Sequence, residues 1–156
     1  MAGSRSRQGR AGFTLIEIMA VVLIIGLLST IVGAAVFRQI DRAKVTATKA
    51  QLNSLEAVLE LYRMDNGRFP TTEQGLAALV EPPTSEPVPR NYPPGGYLKD
   101  GRLPTDPWDE PYHYEIPGTN NPHAFDLWSF GADNAPGGEG TDADIGNWAA
   151  NAERRS

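Results

Sequence analysis

Residues 13 to 37 read FTLIEIMAVVLIIGLLSTIVGAAVF, a run whose only charge is Glu17. A bilayer core takes about 20 apolar residues, so this segment is long enough to cross one. It is apolar all round rather than along one stripe, as expected of a helix placed in lipid or among identical neighbours. Ahead of it stand residues 1–12, MAGSRSRQGRAG, which are basic, small and polar, with Arg5, Arg7 and Arg10 and no acid. Positive flanks are retained in the cytoplasm, so the rest of the chain is expected to face outward. An ordinary secretory signal is the competing reading, with Val32-Gly33-Ala34 as its cleavage site, but such signals have apolar segments of only about 7 to 15 residues.

Working outward from that run, no proline interrupts the sequence from Met1 to Phe69, and beyond Phe37 the pattern becomes amphipathic without a turn signal. Leu52, Leu55, Val58, Leu59 and Tyr62 fall on one stripe of a helix, with Lys49, Asn53, Glu56, Glu60 and Arg63 elsewhere on its surface. Asn66-Gly67 supplies a stop, because glycine adopts the left-handed conformation that ends helices. The expectation is one helix from Thr14 to Asp65, about 78 Å long at a rise of about 1.5 Å per residue. Its first half, 13–37, is apolar, and its second half, 38–66, packs on a globular head, 67–156.

Within the head, Thr71-x-x-Gln74 has the spacing of a capping box, and GLAALV follows, predicting a short helix over about 72–80. The next segment, EPPTSEPVPRNYPPGG, is too rich in proline for a regular helix or a central strand. The alternating segments YHYEI (112–116) and AFDLWSF (124–130) flank a Pro-Gly-Thr-Asn-Asn-Pro turn and read as two antiparallel strands. The fold class expected is therefore α+β, a long N-terminal helix on a small antiparallel sheet.

Charge and composition exclude several functions. The net charge is -5 and three of the fourteen basic residues precede the apolar run, whereas phosphate binding needs clustered Lys and Arg, so nucleic acid is not the expected partner. No Lys or Arg lies between Arg102 and Arg154, a stretch crowded with Asp and Glu, which suggests a solvated acidic face or a bound cation. With no cysteine, neither a disulfide framework nor a thiolate zinc site exists. His113 and His123 stand apart, and no HExxH, G-x-S-x-G or P-loop pattern occurs. The expectation is not an enzyme.

The junction Gly12-Phe13-Thr14-Leu15-Ile16-Glu17 closely resembles the processing site of type IV pilins and pseudopilins. The resemblance implies a prepilin peptidase that cuts after Gly12, methylation of the new terminal Phe13, and Glu17 as the fifth residue of the mature chain. Thr14-x-x-Glu17 is also a capping box, and an acid in a first turn suits the helix dipole. Capping leaves unexplained a carboxylate inside an apolar segment, which is costly unless paired. In this family the partner is thought to be the terminal amine of a neighbouring subunit, so that cleavage would create the counter-charge for Glu17.

A second constellation ends the head. From Asp126 to Trp148 the chain is rich in glycine and oxygen ligands, and Asp142 and Asp144, two residues apart, are able to converge while Asp133 reaches in from the other side. The spacing is not that of an EF-hand. The arrangement S-x-G-A-D, G-G-x-G, A-D-I-x-N-W resembles the calcium loop of the major pseudopilins of type II secretion systems. That resemblance implies calcium held by Asp133, Asp142 and Asp144 with main-chain oxygen near Phe130, as a staple for a small head without disulfides. Leu103-Pro104-Thr105-Asp106-Pro107-Trp108-Asp109-Glu110-Pro111-Tyr112 resembles a further segment of that family, with Asp109 where glycine is usual. Its expected role is structural, with Asp106 bonding nearby backbone.

The resemblance spans Gly12 to Trp148. It implies an inner-membrane protein with a periplasmic head, extracted into a homo-oligomeric helical filament with minor pseudopilins and an inner-membrane assembly platform, which helps move folded exoproteins through the outer membrane. A type IV pilin or competence pseudopilin is the nearest alternative. A periplasmic protein released by ordinary signal cleavage near Ala34 is the more distant one.

Overall fold

The structure is a computed structural model that describes residues 12–149, with the side chains of 31–35 and 38 outside the description. The leader up to residue 11 and the tail from residue 150 also lie outside the described residues. Helix α1 runs over Leu15–Asn66, and two compact units divide the chain between Gln39 and Ile40.

In the first unit, Thr14 caps α1, its Oγ1 accepting the Glu17 amide at 3.3 Å, which is half of the expected capping box. The apolar side chains have nothing of their own to pack on. Phe13 is 79% exposed, Leu23 75% and Leu27 66%, so a contiguous apolar surface lacks cover, as happens where a chain meets lipid or other proteins. Among the described residues no helix is long and apolar enough to cross a membrane. The described apolar stretch stops at Thr30, short of the roughly 20 residues a bilayer requires, so a span over 13–37 takes in residues beyond the described side chains.

The second unit forms where α1 turns amphipathic. Leu52, Leu55, Leu59 and Tyr62 are buried against Leu76, Leu79, Tyr112, Tyr114, Phe125, Leu127 and Ile145. Val58, which shares their stripe, is only partly buried at the margin of this core. The helix ends as the sequence predicts: Gly67 has φ 75°, and its amide donates to Arg63 O at 2.7 Å.

The predicted helix over 72–80 is corrected. The capping box does form, with the Gln74 amide donating to Thr71 Oγ1 at 3.2 Å and Gln74 Oε1 accepting the Thr71 amide at 3.1 Å. Only a 3-10 turn over Leu76–Leu79 follows, because Gly75 at φ 56°, ψ -161° leaves helical space. Gln74 Nε2 instead donates to Ser85 O and Pro87 O at 2.9 and 3.3 Å, tethering the proline-rich loop.

Strands β1 (His113–Glu115) and β2 (Asp126–Ser129) pair antiparallel with His113 opposite Trp128. A third strand, β3 (Ile145–Gly146), absent from the sequence reading, pairs with β2 through Trp128 and Ser129. Two residues are too few to show periodicity, so β3 is set by the neighbour it pairs with.

Candidate functional site

At the N-terminal junction, Gly12, Phe13 and Thr14 precede the helix and Glu17 lies in its first turn. All four are exposed. The Glu17 side chain makes no hydrogen bond or ion pair among the described residues. Its carboxylate therefore stands in an apolar helical surface with no partner from the same described chain.

The C-terminal loop leaves β2 through Phe130 and returns in β3. Gly131 (φ 77°) makes the first bend, and a side chain there would meet Thr141 O at 2.6 Å and Ala143 O at 2.9 Å, so only glycine permits the approach. The Ala132 amide donates to Thr141 O at 2.9 Å. Across the loop, Asp144 receives Gly137 N on Oδ2 at 3.0 Å and donates its own amide to Gly137 O at 3.1 Å. Its other oxygen, Oδ1, is buried with no hydrogen-bond partner. Such an oxygen is costly to leave unsatisfied and suits a cation.

The predicted ligands are not gathered equally. Asp133 is exposed and its Oδ1 accepts the Ala135 amide at 3.1 Å, within its own turn. The Asp142 side chain makes no hydrogen bond among the described residues, and its amide donates to Glu139 O at 3.2 Å. Among the described residues no group of three or more His, Asp or Glu side chains is close enough to hold a metal ion. The convergence of three aspartates read from the sequence is thus not drawn, because Asp133 satisfies a local turn. Asp144 and Phe130 do share the wall of one open cleft of about 420 Å³, together with Trp128, Trp148, Glu115 and Asp126. Trp128 and Trp148 pack with ring centres 6.2 Å apart.

Two residues that secure this loop, Ser129 and Asn147, stood in the motif read from the sequence but were given no role there. Asn147, 6% exposed, accepts the Leu127 amide at 3.2 Å and donates to Phe125 O at 3.1 Å, fastening the loop's end to β2. Ser129, fully buried, donates to Asp106 Oδ2 at 2.5 Å and accepts Gly131 N at 3.1 Å. Their partners lie on other elements and are brought to them only by the fold. Asp106 behaves as expected: its Oδ1 also accepts the amides of Trp108 and Glu110 at 3.0 and 2.9 Å. Asp109 adopts φ 67°, the left-handed conformation for which glycine is best suited and which Asp tolerates.

Burial raises the phenols of all five tyrosines. Desolvation pushes Tyr97 and Tyr112 up to about 12 and moves Tyr62, Tyr92 and Tyr114 in the same direction. At Tyr112 the Asp106 charge adds to the rise, and at Tyr62 Arg68 opposes it. Tyr62, Tyr112 and Tyr114 belong to the core, and Tyr92 and Tyr97 are half-buried against it.

Known proteins carry the same features. The family model for type II secretion system (T2SS) protein G matches residues 35–148, and that for the prokaryotic N-terminal methylation motif matches residues 7–33. The type II secretion system core protein G of Pseudomonas aeruginosa is 51% identical over 142 residues, 91% of this chain and 97% of that protein. Its namesake in Vibrio cholerae is 46% identical over 144 residues, 92% and 95% of the two chains. Among solved structures, the major pseudopilin from the type 2 secretion system of enterohaemorrhagic Escherichia coli matches with TM-score 0.61 and 45% identity, covering 71% of this chain and 91% of that one. With an N-terminal methylation motif at one end, an oxygen-rich loop at the other and a helix-on-sheet head between, this chain belongs to the type II secretion system protein G family, the family of the major pseudopilin.

Proposed function

We propose that the chain is the major structural subunit of a periplasmic pseudopilus. It is cut after Gly12 by a prepilin peptidase, methylated on Phe13, and held in the inner membrane by residues 13–37 with its head in the periplasm. Subunits then leave the membrane for a helical filament, working with minor pseudopilins and an inner-membrane assembly platform to move folded exoproteins through the outer membrane. The observation that carries this reading is the apolar, uncovered first unit with one unpartnered carboxylate at its start. In a filament the apolar surface is covered by copies of itself, and Glu17 meets the amine of a neighbouring Phe13. Repeated heterologous contacts that do not close make a filament rather than a ring. No catalysis by this chain is required.

Intact mass and N-terminal sequencing of protein recovered from bacterial membranes test the reading. A chain starting at Phe13 with one added methyl supports it. A chain starting near Ala35 removes the apolar half-helix and overturns it.

The head is further proposed to bind calcium at the C-terminal loop. The buried, unpartnered Asp144 Oδ1 supports this, with Phe130 O as a main-chain ligand and Asp133 and Asp142 joining after local rearrangement of exposed turns. Calcium takes six to eight oxygens in flexible geometry, and a bound ion would supply the cross-link that disulfides give other small exported domains. The full chain in detergent is expected to melt at a higher temperature with calcium than with chelator, and equal melting temperatures exclude the site.

A further inference from the structure

Asp106 lies in the Leu103–Tyr112 segment, far in sequence from the C-terminal loop, yet the residue is 3% exposed and its carboxylate bonds Ser129 of β2. Oδ1 holds its own turn through the amides of Trp108 and Glu110. Oδ2 accepts a hydrogen bond from the Ser129 hydroxyl, which leaves the Ser129 lone pairs free to accept Gly131 N at 3.1 Å. That amide shares a planar trans peptide with the carbonyl of Phe130, so N–H and C=O point in opposite directions and fixing one aims the other. Gly131 also passes so close to the 141–143 backbone that a side chain there would collide with Thr141 O and Ala143 O. We propose that Asp106 is a positioning residue for the cation loop: acting through Ser129, it aims the Phe130 main-chain oxygen toward the site that Asp144 lines.

The proposal rests on the calcium reading above and adds a residue that makes no contact with the ion. Its chemical logic is charge. A carboxylate at Asp106 compels Ser129 to donate in one direction, and the serine lone pairs then face the Gly131 amide. In Asp106→Asn the amide group is able to donate to Ser129 instead, and the hydroxyl direction is no longer imposed. Ser129→Ala removes the relay and leaves the Asp106 turn with its two amides.

Titration of full-length protein in detergent with calcium, and with terbium read through tryptophan-sensitised emission, gives the affinity of wild type, Ser129→Ala, Asp106→Asn and a Tyr114→Phe control. Loss of groups that orient metal ligands weakens binding by about 10- to 100-fold, so both relay variants are expected to bind at least about tenfold more weakly. The control, altered away from the loop, is expected to bind as wild type does. Wild-type affinity in Ser129→Ala overturns the proposal, as does equal weakening in the control, which marks general destabilisation. Absence of binding by wild type overturns the calcium reading and this proposal with it.

Discussion

The phenol of Tyr114 on β1 donates to the main-chain oxygen of Pro70 at 2.8 Å, wholly inside the head. This one bond ties the sheet to the segment that follows α1, since Pro70 is itself buried. Leaving a buried acceptor without its donor costs about 1 to 3 kcal/mol. Tyr114→Phe keeps the ring and removes only the bond, so chemical denaturation is expected to show a loss of that size with an unchanged denaturant slope.

The turn between β1 and β2 is organised by a single carboxylate. Asp126, 1% exposed, accepts the backbone amides of Asn120 and Asn121 at 2.6 and 3.0 Å, and their side-chain amides at 3.0 and 2.9 Å. Asp126→Ala strands these donors around a cavity and is expected to lower stability by about 3 kcal/mol or more. Asp126→Asn retains acceptor oxygen and is expected to cost less. Equal melting temperatures for the two variants would contradict the part given to the acceptor oxygen.

Asp109 offers the reverse test. Its φ of 67° suits glycine, and its side chain makes no hydrogen bond among the described residues. Asp109→Gly relieves the backbone at the expense of a more flexible unfolded chain. The expected net effect is a gain of about 0.5 to 1 kcal/mol, read as a melting temperature higher by a few degrees.

The tyrosines set the alkaline limit of the head. An unfolded phenol ionises near 10, whereas burial holds Tyr97 and Tyr112 to about 12 and raises the other three. Between those values the unfolded state releases protons that the folded state retains, so stability falls as pH rises from about 10 to about 12. Ultraviolet titration is expected to show little phenolate at pH 10 and a steep, cooperative appearance together with unfolding. Gradual ionisation at pH 10 with the fold intact would contradict the burial of these rings.

Long-range order was legible where a residue type obliges a local structure. The unbroken stretch without proline, the stripe of Leu52, Leu55, Leu59 and Tyr62, and the Asn66-Gly67 stop together specify α1 and the face it buries. The Thr71–Gln74 capping box was also readable, but the helix expected after it was not formed, since Gly75 takes a conformation no helix continues. In the site, the Gly12–Glu17 junction was legible as part of an N-terminal methylation motif, because such a motif is linear in sequence. The acidic, glycine-rich loop was legible as a composition only.

What the sequence determined by itself was periodicity and charge: an apolar half-helix with one carboxylate, an amphipathic half that must find a core, and an acidic glycine-rich end. Tertiary structure alone decided which polar atoms meet. Strand β3 exists because β2 presents it an edge, Asp133 turns to the Ala135 amide while Asp144 keeps a buried free oxygen, and Ser129 of β2 joins Asp106 to Gly131. The physical reason is range. Helix periodicity arises within a few residues of chain, whereas the pairing of buried polar groups depends on partners brought close only after the core has closed.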